Sequence, residues 1–377
     1  MSEHAPLGGK LFTKPFLFFA VLFMIALAFL ATRFIFGLGS VTNLNDGYPW
    51  GIWIVIDVMV GTALGCAGYS VALLVYILNK GEYHPLVRSA VLAGLFGYGL
   101  AGLAVMIDLG RYWQFYTLLW PGFVQVNSVM LEVALCVMAY IVVLAVEFAP
   151  VVLERFGFKN LQQKLNKVMF LIIAVGILLP TMHQSSLGTM AVVAGYQISD
   201  LWQTQLLPAL FLISALLMGY AIVPFESILA SMGLRRPLET DLLAKLTGVT
   251  LAVTVFYLVL RFGDLLWRGA LGLAFAGDLD SVMFWIENAL FVIPLVLLAK
   301  RSHRNHPRLI FLSAVSLLLA GSIYRLNTYI IGYHPFAGGD WHYFPSVGEM
   351  MVTIGIFSFE VMLYLLFVKT LPVLHRA

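Results

Sequence analysis

A chain of 377 residues that is 61% hydrophobic and only 11% charged, with a mean hydropathy of +0.93, does not describe a water-soluble globule. It describes an integral membrane protein, and so little polar sequence is left over that residues 1–377 read as one polytopic membrane domain. The formal net charge of +3 does not point to nucleic acid, because the basic residues fall where membrane topology puts them.

About ten stretches approach the ~20 apolar residues needed to cross a bilayer. They cover roughly 15–38, 51–79, 87–109, 124–149, 167–184, 206–229, 243–267, 280–299, 308–328 and 346–369. The first begins after Lys14, is long and has no small-residue cleavage site behind it, so it reads as a span and not as a signal peptide. Lysine and arginine are retained on the cytoplasmic side of membrane proteins. With both termini inside, all of the 22 except Arg33, Arg111, Arg261, Arg268 and Arg325 lie in inner loops or at inner span ends. The expected fold is therefore all-α, with ten transmembrane helices, N-in and C-in.

Polar residues inside apolar spans are costly and read as functional by default. In the second span, Trp50-Gly51-Ile52-Trp53 precedes Asp57, about a turn and a half inside; in the third, Tyr98 is mid-membrane. At the third span's outer end Asp108 and Arg111 are three residues apart, either as an ion pair anchoring the helix end or as part of a site. Glu132 lies about two turns inside the fourth span, where an unpaired carboxylate is a natural proton donor or acceptor, and Glu147 stands at its inner end. The fifth span closes in Pro180-Thr181-Met182-His183-Gln184-Ser185-Ser186-Leu187-Gly188, where His183 is the only histidine belonging to a span.

Glu226 stands at the inner end of the sixth span. Arg261, Asp264 and Arg268 share one face of the seventh; Asp264 and Arg268 read as a structural pair, while Arg261 is deeper and needs a partner inside the bundle. Glu287, in the eighth span, is as deep as Glu132 and follows Ser281-Val282-Met283 as Glu132 follows Ser128-Val129-Met130. That echo outlines two related four-helix units, about 51–184 and 206–328, flanked by single helices. In the tenth span Glu349 and Glu360 are eleven residues apart and nearly on one face.

All eight tryptophans (Trp50, Trp53, Trp113, Trp120, Trp202, Trp267, Trp285, Trp341) fall in outer loops or outer thirds of spans. An interfacial belt would populate both interfaces, so a broad outer surface that receives a partner or ligand competes with that reading. Outer loops 108–123, 185–205, 268–280 and 329–345 are rich in glycine and aromatics and poor in charge. One in-span histidine cannot supply a bis-His haem site, which leaves only a His/Met ligation through His183 open, no metal-ligand spacing occurs, and Cys66 and Cys136 read as isolated buried thiols. No haem and no iron–sulfur cluster are expected in this chain. Trp53, Asp57, Asp108, Arg111, Glu132 and His183 together outline a ring-binding, proton-exchanging pocket.

Trp50-Gly51-Ile52-Trp53, Asp108-Leu109-Gly110-Arg111-Tyr112-Trp113, Glu132 and the His183-Gln184-Ser185-Ser186-Leu187-Gly188 run resemble the NrfD/polysulfide-reductase membrane-subunit (PsrC-like) family, most closely its hydrogenase-associated members. The likeness covers essentially the whole chain. It implies a haem-free, quinone-reactive subunit (menaquinone or ubiquinone) in a bacterial inner membrane. A ferredoxin-like iron–sulfur protein would dock on the outer, periplasmic face, with [NiFe] hydrogenase large and small subunits beyond it. In that frame the chain is a non-hydrogenase subunit of a hydrogen:quinone oxidoreductase of anaerobic respiration. Trp53, Asp108, Arg111, Glu132 and His183 carry over as pocket residues. Arg111 and His183 would polarise the quinone carbonyls, and Glu132 and Asp57 would exchange protons. A proton route through Tyr98, Glu147, Glu226, Glu287, Glu349 and Glu360 would let the complex translocate protons. A secondary transporter is the alternative, since ten spans with intramembrane charges also describe that class, but Pro180, Pro208, Pro224 and Pro294 do not pair across the halves as its broken helices do. A passive anchor would tolerate neutralisation of every intramembrane acid.

Overall fold

The computed structural model describes residues 5–234, 238, 240–335 and 343–374. Ten helices are long and apolar enough to cross a membrane, and none of the described residues forms a strand longer than an isolated bridge. This is the all-α, multi-pass architecture expected from the apolar run lengths. They are α1 (Lys14–Phe36), α2 (Trp53–Ile77), α3 (Val87–Asp108), α4 (Val129–Phe156), α5 (Lys159–Ala194), α6 (Leu207–Leu234), α7 (Thr240–Trp267), α8 (Leu279–Leu297), α9 (Pro307–Leu326) and α10 (Val347–Thr370). Trp341, Arg235, Arg236 and Arg376 lie outside the described residues.

The chain divides into two compact units. One comprises residues 1–65, 91–179 and 335–376; the other comprises 66–90 and 180–334. The boundaries fall inside helices, at Gly65 in α2, near Ala90 in α3 and at Pro180 in α5.

In the first unit α1 lies along α10, with Phe23 stacked on Phe359 at 4.6 Å. Only Phe16, Ala26 and Arg33 of α1 are buried, while Phe18, Val21, Met24 and Ile35 face outward, as on a helix surrounded by lipid. α2 and α3 touch through glycine: a Cβ on Gly97 would meet the Gly61 carbonyl at 3.0 Å, and one on Gly65 would meet the Tyr98 ring at 2.8 Å. Small residues bring membrane helices together where lipid gives no hydrophobic drive. α2 is itself irregular, with π-helical turns over Trp53–Val60 and Leu73–Ile77 and a turn at Gly65–Cys66 between them. Such widened turns recur at functional sites.

The second unit is built on α9, which packs against both α6 and α8. Its last turn widens into a π-helix over Asn327–Ile331. The bridge between Ile198 and Tyr333, with Ser199 N–H donating to the Gly332 carbonyl at 2.7 Å, ties the α5–α6 connection to the end of α9. A Cβ on Gly332 would sit 2.5 Å from the Trp202 ring, so this close approach requires glycine.

Three sequence expectations about helix ends are corrected. His183 does not close the fifth span, and 185–205 is not all loop, because α5 runs on to Ala194. Pro180 lacks only its own N–H, and His183, Gln184 and Ser186 after it are buried, not solvated, the first two with no exposure at all. Ser185 and Thr189 return hydroxyl bonds to the carbonyls four residues earlier. Glu132 is not two turns deep: α4 begins at Val129 behind its cap Ser128, so Glu132 stands in the first turn and is half-exposed. The echoed Ser-Val-Met triplets are not equivalent either, since Ser128 caps α4 whereas Ser281 lies inside α8 behind its own cap, Asp278.

Candidate functional site

The first unit carries a buried polar group where α2, the end of α3 and the start of α10 contribute side chains. Ser346 and Glu349 form a capping box at the start of α10. Glu349 then does more than cap: Oε2 accepts from Ser346 N–H at 2.8 Å and Asn43 N–H at 3.0 Å, and Oε1 accepts the Tyr343 hydroxyl at 2.7 Å. Tyr343 accepts in turn from Ile52 N–H at 2.9 Å, and burial together with this carboxylate raises its phenol pKa well above the ordinary range. The Glu349 backbone carbonyl receives the Trp53 indole N–H at 3.1 Å. Glu349 thus clamps residues 43–53 to the α10 N-terminus and holds the Trp53 ring, which is 1% exposed, in one orientation.

Asp57 lies one turn beyond Trp53 in the π-helical stretch and is buried. Its Oδ2 accepts the Thr353 hydroxyl at 3.0 Å, while Oδ1 is buried with no partner. Asp108, the last residue of α3, also buries an unpartnered Oδ1. The two carboxylates interact electrostatically. A buried Asp57 and a half-buried Asp108, each with one buried oxygen left open, form a place where a proton can be held and passed.

The Asp108–Arg111 ion pair is absent among the described residues. Arg111 is exposed at the head of a 3₁₀ turn, Tyr112–Leu118, and Arg33 from α1 takes the charge-balancing place instead. Its Nε donates to the Ile107 carbonyl at 2.6 Å and its Nη2 to the Leu109 carbonyl, and its guanidinium lies over Phe34 and Tyr112. A buried arginine at a helix C-terminus satisfies carbonyls that have no intrahelical donor. The loop after it presents Trp113, Tyr116, Leu119, Trp120 and Phe123 to the surroundings.

Among the residues expected on a proton route through this unit, Tyr98 is fully buried edge-on against Tyr140 at 4.5 Å. Glu147 is half-buried against Gly176 of α5, and Glu360 is half-buried in α10.

The second unit holds a second buried network. Glu287 has no exposure; its Oε2 accepts the Trp202 indole N–H at 2.8 Å and the Asn327 amide at 2.8 Å. Arg261, the deep arginine that needed a partner, finds it here, with Nη2 3.6 Å from Glu287 Oε1 and its guanidinium between the Phe284 and Tyr324 rings. Asp264 and Arg268 form the expected pair at 2.8 Å, and Thr204 donates to Asp264 at 2.7 Å.

His183 joins the same unit. Arg325 Nη2 donates to Gln184 Oε1 at 3.3 Å, and Gln184 Nε2 lies 3.0 Å from His183 Nε2. A guanidinium only donates, so it fixes the Gln184 amide with its oxygen toward Arg325; His183 Nε2 must then accept, leaving the ring proton on Nδ1. Arg325 Nη1 donates to the Gly321 carbonyl, Ser214 Oγ and the Met218 sulfur and Nη2 also to the Phe211 carbonyl, while Nε is buried with no partner. Glu226 is half-buried in α6.

Arg33, Asn43, Tyr343, Thr353, Trp202, Thr204 and Asn327 are among the contributors that sequence reasoning did not assign. Only Glu349 had a local signal for what it does, the Ser346-x-x-Glu349 capping pattern.

A family model described as polysulphide reductase, NrfD, matches residues 40–334. The chain is 48% identical to the probable Ni/Fe-hydrogenase 2 b-type cytochrome subunit of Escherichia coli, over 99% of this chain and 95% of the relative. It is 29% identical to the menaquinone reductase integral membrane subunit of Nitratidesulfovibrio vulgaris, over 89% and 86%. A further protein of Nitratidesulfovibrio vulgaris is 28% identical over 99% of this chain and 98% of its own length.

Proposed function

Because this chain belongs to the NrfD family of polysulphide-reductase membrane proteins, we propose that it is the quinone-reactive subunit of a respiratory [NiFe] hydrogenase complex. The observation that carries the reading is that Asp57, which is buried, and Asp108, half-buried at the end of α3, each keep one buried carboxylate oxygen without a partner in the unit that holds the fixed Trp53 ring. Reducing a quinone to a quinol takes two electrons and two protons. The carboxylates hold and deliver protons. Arg111 and Glu132, half-exposed or exposed at neighbouring helix ends, complete the pocket in the first unit, Arg111 toward a carbonyl oxygen and Glu132 as the proton exchanger nearest water. His183, with its accepting Nε2 engaged by Gln184, serves as a proton-responsive group in the second unit.

The relatives named for Ni/Fe-hydrogenase 2 and for menaquinone reductase support both halves of the proposal, and the second favours menaquinone over ubiquinone. The distribution of lysine and arginine supports N-in, C-in orientation in an inner membrane. The exposed aromatic loop 112–123 supports docking of a periplasmic ferredoxin-like iron–sulfur subunit, with the hydrogenase large and small subunits behind it.

The word cytochrome in one relative's name implies a b-type haem. The described histidines do not fit one: His183 Nε2 is engaged by Gln184, His334 pairs with Asp280, and His84, His303 and His306 belong to 3₁₀ turns or connections at span ends. No step is routed through haem. The transporter alternative rests on the ten spans with intramembrane charges, to which the interrupted α2 adds one broken helix.

The deciding experiment is purification of the chain with its partners, followed by a haem spectrum and extraction of bound quinone. Bound quinone, no haem absorbance and hydrogen-dependent quinol formation are expected. Solute uptake by the isolated chain, with no quinone bound, would overturn the assignment.

A further inference from the structure

Five polar residues of α7 fall on one face: Thr247, Thr250, Thr254, Tyr257 and Arg261, spaced three or four apart, and all are buried. An apolar helix in lipid has no reason to bury such a stripe unless something polar runs along it. At one end is a cavity of about 20 Å³, lined by Tyr220, Pro224, Thr247, Thr250, Pro294 and Ser313. That volume holds a water molecule. At the other end is the Arg261–Glu287 pair.

The polar atoms between them are not satisfied by the protein. The Ser313 Oγ, Tyr257 and Tyr324 hydroxyls, Asn288 Oδ1, the Arg261 guanidinium nitrogens and Glu287 Oε1 are all buried without a hydrogen-bond partner. Native proteins seldom leave so many such groups together, because each loses its hydrogen bonds to water without replacement. The three threonines donate their hydroxyls to backbone carbonyls four residues back, at 2.7–3.0 Å, and so turn only acceptor lone pairs into the column. The prolines contribute as well. Pro224 has no N–H for the Tyr220 carbonyl, and Pro294 releases the Leu290 carbonyl, which takes the Ser316 hydroxyl at 2.7 Å.

We infer that this face of α7, with Ser313, Asn288 and Tyr324 opposite, is a hydrated proton conduit running from the end of the unit that carries the basic 300–308 connection to the Glu287 carboxylate. Water bridges the donors and acceptors that the protein leaves open. A proton passes by exchange along the water and the open Ser313, Tyr257 and Tyr324 hydroxyls, with the threonine oxygens accepting from and so orienting the water; no net bond is made or broken, and Glu287 receives it beside Arg261. The inference deepens the quinone-linked reading and rests on it for its purpose. None of the conduit residues belongs to the Asp57–Asp108 pocket.

Two measurements test it. In the first, the full chain alone is reconstituted in vesicles with Ser313→Cys, Thr250→Cys or Thr254→Cys and exposed to Ag⁺, a water-borne ion small enough to follow a water file. Free thiol is then counted after denaturation. The new thiol should be lost at least tenfold faster than native Cys66 and Cys136, which are buried; loss no faster than theirs overturns the hydrated column. In the second, the complex with its partners is assayed in vesicles with Thr250→Val or Thr254→Val, isosteric changes that remove only the hydroxyl. Proton uptake per quinol formed, from the compartment bathing the 300–308 connection, should fall at least threefold while hydrogen-to-dye activity is unchanged. Wild-type stoichiometry in both variants overturns the conduit even if the column is wet. A wild-type complex that forms no quinol defeats the quinone assignment instead, and the silver measurement still decides the column.

Discussion

Trp202 donates its indole N–H to Glu287 at 2.8 Å, inside the second unit, where neither side chain is exposed. The carboxylate also takes an amide proton from Asn327 and faces Arg261 at 3.6 Å, so its charge is compensated from three elements. Removing one partner of a buried pair leaves the other charge stranded, a cost of about 3–5 kcal/mol. Glu287→Gln strands Arg261 and should destabilise by that amount; Trp202→Phe removes one charge-assisted bond, roughly 1.5–3 kcal/mol. Replacing both Arg261 and Glu287 by methionine should recover stability over either single change. A thiol-reactive dye reporting exposure of buried Cys66 and Cys136 on heating gives the ranking, and singles that melt with the wild type would refute the pairing.

Arg33 predicts a local effect in the first unit. Its fork to the Ile107 and Leu109 carbonyls holds the end of α3 just ahead of Arg111. A lysine cannot span both carbonyls, so Arg33→Lys should free this segment nearly as much as Arg33→Met. Trypsin reads it directly: cleavage after exposed Arg111 should accelerate severalfold in both variants. Unchanged cleavage in the methionine variant would show that the segment is held by other contacts.

The ten spans were legible because run length and apolarity alone decide whether a helix can cross a bilayer, and each expected span has a helix over it. Helix ends were less so. Polarity in the 183–189 run reads as loop in sequence, yet His183, Gln184 and Ser186 are polar because they face a buried network, and the helix carries on. Glu349 carries a capping role as well, which Ser346 three residues earlier marks in the sequence and its eleven-residue spacing to Glu360 does not.

What could not be read locally is pairing at a distance. Arg111 is Asp108's neighbour in sequence, but α1 brings Arg33 to that helix end, 74 residues before the carbonyl it caps. The depth of Arg261 announced a missing partner, and only the fold chooses Glu287 over Glu226 or Asp264. Of the site proposed from sequence, Trp53 and Asp57 lie one turn apart in α2 and are both buried, while His183 belongs to the other unit.

Asp57 predicts a separation of chemistry from folding. Asp57→Asn keeps an acceptor for the Thr353 hydroxyl but cannot take up a proton at the open oxygen. Hydrogen-to-quinone electron flow should drop at least tenfold with the melting point and dye-linked hydrogen oxidation unchanged, and Glu132→Gln should behave likewise. Quinone reduction at wild-type rates in both variants would remove these carboxylates from the reaction.

Asp278 predicts a pH dependence at the start of α8, outside the spans. The Ser281 N–H donates to its carboxylate at 2.9 Å, and this bond first of all holds its pKa below the ordinary aspartate value. A carboxyl whose folded pKa is depressed adds stability that is fully present above its unfolded pKa, about 3.9, and lost as pH falls through the lower folded value. The melting-point gap between wild type and Asp278→Ala, followed by tryptophan fluorescence, should therefore be constant above about pH 5 and shrink below about pH 4. Asparagine caps without titrating, so Asp278→Asn should hold its gap over alanine across the same range. A wild-type gap that survives at low pH would show that the neutral acid caps as well as the ionised one, and that charge contributes nothing at this helix end.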